Sequence, residues 1–216
     1  MGNLLRAIFG TSLLLVAAIA PVSWSSAQTN TQEAPAAPAN PKPSKPKPKP
    51  KPKPGAEPAA PAAPNVGGVQ PTLLGTYGDW GAYTASPGGK KMCFALAKPG
   101  KSETVPPNRP RDPAYFFISS RPAEKVKDEV SIIIGYGFRP NSEATIELAG
   151  TTYAMYTQND GAWLKNAAEE PRLVEAMRKG GDVTIKGESA RNTATVDVYS
   201  LKGLAQALDK VAEECQ

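Results

Sequence analysis

From Pro41 to Pro54 the chain alternates proline with lysine so closely that no packed core can form there. Proline fixes φ and removes an amide donor, so alternating prolines favour polyproline II at about 3.1 Å per residue. Lys42, Lys45, Lys47, Lys49, Lys51 and Lys53 repel one another along this stretch and keep it extended. A segment of this length reaches on the order of 40 Å. Its flanks are rich in Ala and Pro, and residues 28–71 together read as a disordered Pro/Lys/Ala-rich linker. Two uses follow from the physics. The six lysines could contact anionic envelope material, in which case binding fades with salt, or the arm could serve only as a solvated spacer.

The charge of the chain sits in that arm. The sequence carries 25 Lys plus Arg against 20 Asp plus Glu, with no histidine. Arg6 and the six arm lysines precede Thr72, as do Glu33 and Glu57, so the remaining 72–216 carries equal numbers of each sign. A neutral folded part lacks the basic footprint of a nucleic-acid binder, and no zinc-finger or recognition-helix spacing supplies one. Nucleic acid is therefore not expected as a partner.

Residues 1–27 read as a signal peptide: Arg6, an apolar run from Leu13 to Ala20, then Ser25-Ser26-Ala27. Small residues at Ser25 and Ala27 place the cut before Gln28, with no cysteine there to be lipidated. The competing reading is an uncleaved anchor, whose apolar run would be roughly half the ~20 residues that spanning requires. After cleavage no transmembrane segment is expected, and export leads to the periplasm, to the outer membrane or outside the cell.

The segment 72–216 is long enough for one core. Its apolar runs are short, β-branched or aromatic, and punctuated by Gly, Pro, Asn and Asp, a pattern of strands and turns. Asp79–Thr84 and Met92–Ala97 flank Ser86-Pro87-Gly88-Gly89 and predict a hairpin; a Pro-rich loop follows over 98–113. Further strands are predicted at 114–119, 129–136, 144–148, 152–157, 161–164, 182–187 and 193–199, with Ala149-Gly150 as a second tight turn. Short strands at this spacing indicate a β-sandwich.

Two helices interrupt the pattern. Pro171 opens the first and Gly180 closes it, with Arg178 and Lys179 at its C-terminal end. The second is predicted after Ser200 as N-cap, with Leu201, Leu204, Ala205, Leu208, Val211, Ala212 and Cys215 on one stripe. Cys93 and Cys215 are the only cysteines, and an exported chain with two is most simply read as carrying one disulfide between them.

Catalytic patterns are sparse. Without histidine the Ser-His and Cys-His dyads are gone, together with the commonest zinc ligand, and no metal site, catalytic residue or cofactor is expected. Ser44 and Lys47 match a Ser-x-x-Lys spacing inside the linker, where nothing would hold them in register. The acid pairs Asp128-Glu129, Glu169-Glu170 and Glu213-Glu214 could be imagined as a glycosidase-like carboxylate pair, but neighbours in sequence rarely face one cleft. Glu169-Glu170 at a helix start and Glu213-Glu214 off the helix stripe read as ordinary solvated charge. Arg109 and Arg111, between prolines in the long loop, could instead fork onto carboxylate or phosphate. The aromatics from Tyr77 to Tyr199 read as core packing rather than a sugar-stacking surface.

Gly78-Asp79-Trp80, Cys93-Phe94-Ala95 and the run Tyr199-Ser200-Leu201-Lys202-Gly203-Leu204 with Ala207-Leu208 and Cys215 are similar to the invasion-associated locus B family of alphaproteobacteria. The resemblance covers roughly residues 76–216. It implies a periplasmic or surface-associated protein with an immunoglobulin-like β-sandwich, in which Trp80, Cys93 and Cys215 are structural positions and no catalytic residues occur. The expectation is a non-catalytic envelope binding protein whose partner is an envelope component or a protein. An accessory subunit of an envelope complex and an unrecognised periplasmic hydrolase are the other readings.

Overall fold

The computed structural model describes residues 60–216. The expected leader, its cut before Gln28, and Lys42, Lys45, Lys47, Lys49, Lys51 and Lys53 lie outside the described residues.

Eleven strands form: β1 Thr72–Tyr77, β2 Trp80–Ala85, β3 Met92–Ala97, β4 Lys101–Val105, β5 Tyr115–Arg121 and β6 Val126–Ile133, followed by β7 Glu143–Leu148, β8 Thr151–Gln158, β9 Gly161–Leu164, β10 Asp182–Glu188 and β11 Ala194–Ser200. They hydrogen-bond in the order β1-β2-β3-β5-β6-β9-β8-β7-β10-β11-β4. Every neighbouring pair is antiparallel. Because side chains alternate across a strand, Phe116 and Ile118 of β5, Val130 and Ile132 of β6, and Ile146 of β7 all reach one face. These side chains share a single core with Val183, Ile185, Tyr199 and Trp80.

That face closes on itself. Phe116 and Tyr199, from strands far apart in the hydrogen-bonded order, meet edge-on with ring centroids 5.3 Å apart. The Trp80 indole N–H donates to the Ser200 carbonyl at 2.9 Å, again across the fold. The result is a mainly β sandwich with two helices, in which all eleven strands stay in one continuous hydrogen-bonded ladder. The likeness to an immunoglobulin-like sandwich lies in two β layers around one core.

All nine strands expected from alternation are present, and two more join them. β4 lies inside the stretch read as a loop, pairing its residues 101–105 with β11. It is an exposed edge strand of sequence Lys-Ser-Glu-Thr-Val, so it carries no apolar alternation to read. β1 is the opposite edge and shows the same weakness.

α1 spans Glu170–Lys179 and α2 spans Leu204–Glu214. Pro171 lies in the first turn of α1, and the Gly180 N–H closes it on the Met177 carbonyl at 3.2 Å. Leu173, Val174 and Met177 form its buried face. α2 corrects the expected cap: Ser200 is the last residue of β11, and the helix starts after Gly203 at φ 92°. Its buried stripe holds Leu204, Ala207, Leu208 and Val211, with Ala212 exposed. Each large side chain on that stripe contributes roughly 1.5–3 kcal/mol before the entropy of ordering is subtracted.

The same glycine explains two of the family-like motifs at once. A Cβ on Gly203 would sit 1.8 Å from the Tyr77 carbonyl oxygen, and one on Gly78 would sit 2.5 Å from that of Lys202. With both side chains absent, the β1–β2 turn docks on the approach to α2, and the Asp79 N–H donates to the Lys202 carbonyl at 3.0 Å. Cys93 and Cys215 form a disulfide with Cα atoms 5.9 Å apart, tying α2 to β3 across 122 residues. The chain-entropy model gives such a crosslink about 5 kcal/mol.

Residues 60–66, within the stretch 28–71 read as linker, pack against the sandwich. Ala60, Ala63 and Val66 pack on a second apolar cluster, on the outer face of β2, β3 and β5.

Candidate functional site

The β4–β11 pairing decides where the long loop goes. Thr104 lies opposite Thr195 and Val105 opposite Ala194, so the loop that leaves β4 runs beside the turn joining β10 to β11. That turn, over residues 189–193, is tied by the Ser189 hydroxyl, which accepts from the amides of Arg191 and Thr193 at 3.3 and 3.1 Å. Asn192 supplies its left-handed residue at φ 58°. On the loop side, the Arg109 amide donates to the Thr104 hydroxyl at 3.1 Å.

Between loop and turn lies a cleft of about 490 Å³. Three arginines line it, Arg109, Arg111 and Arg191, with the hydroxyls of Thr104, Thr193 and Tyr136. No carboxylate is among the lining residues. Tyr136 shares a hydrogen bond of 2.7 Å with Thr195, and burial of its ring pushes the phenol above the ordinary tyrosine range. The phenol is therefore a fixed neutral group at the back of the cleft.

The two arginines named from the sequence separate here. Arg111 is committed inward: its guanidinium pairs with Asp197, donates to the Ser102 hydroxyl at 3.0 Å and donates to the Ile134 carbonyl at 2.9 Å. Asp197 is fully buried on β11, and the Ser102 hydroxyl gives it a second donor at 2.7 Å. This is a structural ion pair that fastens the loop to the sheet. Arg109 is exposed at the mouth of the cleft, and neither it nor Arg191 pairs with a carboxylate among the described residues. Arg191 is the residue sequence reading missed. An isolated arginine in a hairpin turn carries no local signal, and only the β4–β11 register brings it to Arg109.

The acid pairs fall elsewhere. Glu129 pairs with Arg121, Glu213 with Lys210 at 3.1 Å and Glu214 with Lys91 at 2.8 Å, all ion pairs with solvent access. Glu170 departs from the solvated reading: its carboxylate accepts from the Val130 amide at 3.1 Å. Desolvation pushes that carboxyl above its ordinary range, with the Val130 hydrogen bond opposing the shift. Among the described residues, no group of three or more Asp, Glu, His or Cys stands close enough to hold a metal ion. Trp80, Tyr83, Tyr153 and Tyr199 are buried, whereas Tyr156 stacks on Trp163 at the surface.

The class defined by this fold is a cystine-closed β-sandwich with an exposed arginine and hydroxyl cleft. The chain belongs to the Invasion associated locus B (IalB) protein family, whose model matches residues 80–212. A solved structure, that of invasion associated protein B from Bartonella henselae, is 13% identical and aligns with a TM-score of 0.46 over 66% of this chain and 97% of that one. No curated protein matches the chain. Among the described residues, no helix is long and apolar enough to cross a membrane.

Proposed function

We propose that this protein is an exported, non-catalytic binding protein of the bacterial envelope, whose folded part holds carboxylate or phosphate groups in the cleft between Arg109 and Arg191. The carrying observation is a pair of arginines without carboxylate partners among the described residues, facing a cleft lined by hydroxyls and no acid. A guanidinium fork matches both anions, and threonine hydroxyls supply the neutral donors that fix orientation. Arg111 is already neutralised by Asp197, so it shapes the cleft and leaves recognition to the other two. Membership of an envelope-associated family supports the location. The Lys-Pro arm, as read from the sequence, adds reach and a salt-sensitive attraction to the same anionic surroundings.

The test is retention of the exported chain on envelope material at low and high salt, beside R109A/R191A and a form lacking residues 40–56. Loss of each arginine is expected to weaken retention about tenfold, the value of one charge-assisted contact. Removal of the arm is expected to lower retention at low salt and change little at high salt. Full retention of R109A/R191A with release of the arm deletion would overturn the cleft as the binding site.

A further inference from the structure

The outer face of β2, β3, β5, β6 and β9 is unusually apolar for a sheet surface. Tyr83, Phe94, Leu96 and Phe117 stand on the side opposite to Ala82, Ala95, Phe116 and Ile118, which fill the core. Their rings form a ladder: Tyr83 stacks on Phe94 at 5.5 Å, and Phe94 meets Phe117 at the same distance. What covers this ladder is a piece of proline-rich chain. Ala60, Ala63 and Val66 lie on it, and the Tyr83 hydroxyl donates to the Pro61 carbonyl. An aromatic track with a phenol bonded to a backbone carbonyl is how grooves bind polyproline segments, whose carbonyls are unpaired within the segment.

The track continues past its occupant. Beside Pro64 lies a cleft of about 460 Å³ whose lining includes Phe117, Ile133 and Trp163, with the charged Arg121, Glu129 and Asp160. Trp163 lies flat along β9 because Gly161 has no side chain: a Cβ there would come within 2.4 Å of the indole. Its ring stacks on Tyr156, which is 46% exposed. Aromatic surface of this kind left open to solvent marks a place for a partner.

The sequence supplies a matching segment. The docked stretch contains Pro61-Ala62-Ala63-Pro64, and the same tetrapeptide stands at Pro35-Ala36-Ala37-Pro38, on the far side of the Lys-Pro tract. We propose that the open half of this groove takes Pro35–Pro38 from a second copy of the chain, so that copies join arm to sandwich. The Lys-Pro tract, read from the sequence as a stiff extended spacer with a reach on the order of 40 Å, favours the sandwich of a second copy over the chain's own. Arg121 and Glu129 pair with each other in its wall, so Asp160 leaves the groove a net negative charge that suits Lys42, four residues beyond Pro38. This surface is distinct from the arginine cleft, and the two readings stand or fall separately.

Sedimentation of the exported chain over a concentration series tests it, beside P35A/P38A and W163A. The natural chain is expected to self-associate with rising concentration, and P35A/P38A, altered outside the sandwich, to do so at least about tenfold more weakly. A synthetic peptide of residues 33–40 is expected to shift Trp163 fluorescence on binding, since Trp80 is buried, and to lose that signal with W163A. Equal self-association of P35A/P38A and the natural chain overturns the proposal. A natural chain that stays monomeric overturns it as well, whether or not the peptide shifts Trp163 fluorescence; a shift without self-association would mean that the groove binds the motif but does not join copies.

Discussion

Replacing Arg111 by methionine separates its role from that of Arg109. Asp197 is fully buried, and its second carboxylate oxygen has no hydrogen-bond partner. Its charge is balanced by one guanidinium, which is itself only 12% exposed. R111M keeps the stem packed but leaves the carboxylate with the Ser102 hydroxyl alone. Removing one member of a buried pair costs about 3–5 kcal/mol, and the slight exposure of Arg111 places this case near the lower figure. In urea that is a midpoint lower by roughly 1–2 M, with the slope unchanged. The orphaned charge is the cause, so R111M/D197V is expected to recover to within about 1 kcal/mol of the natural protein. R109A, at an exposed side chain, is expected to stay within about 0.5 kcal/mol. Trp80, buried beside β11, reports the unfolding by its fluorescence. A small loss in R111M, or a double variant worse than either single, refutes the argument.

Two further outcomes follow from the fold. C93A/C215A is expected to lose about 5 kcal/mol relative to the oxidised protein, on the chain-entropy model for a loop of this length; urea unfolding with and without reductant measures it. E170Q tests the half-buried carboxyl beside Val130: burial raises its folded pKa, so its favourable contribution is full below the ordinary carboxylate range and is lost as pH rises through the raised value. Glutamine keeps an acceptor for the Val130 amide without the charge. E170Q should therefore match the natural protein in acid and gain on it as pH rises to neutrality, and thermal unfolding across that range gives the comparison.

The sequence announced the sandwich core because its central strands bury one face and so alternate, as Thr145-Ile146-Glu147-Leu148 and Val183-Thr184-Ile185 do. It hid β1 and β4 because edge strands are wetted on more sides and carry no such rhythm. The start of α2 was misplaced because Ser200 looks like a cap, whereas the constraint that sets the start is tertiary: Gly203 against the Tyr77 carbonyl. The disulfide was readable from the cysteine count together with the export expected from the leader-like first residues. Half of the cleft was readable too, since Arg109 and Arg111 stand among prolines in a long loop. The other half was not, because Arg191 arrives through the β4–β11 register, and that one arginine is structural follows only from the burial of Asp197. The proline-rich end packed on the outer face was equally silent: its composition forbids a core of its own, but not docking on an aromatic sheet.

The cleft between Arg109 and Arg191 is the central claim, and amide chemical-shift mapping during titration with carboxylate- and phosphate-bearing fragments of the envelope tests it most directly. The expected result is a set of shifts confined to Thr104, Arg109, Arg191, Thr193 and their neighbours, absent in R109A/R191A. Shifts centred on another surface, or none in the cleft with either class of fragment, would contradict it.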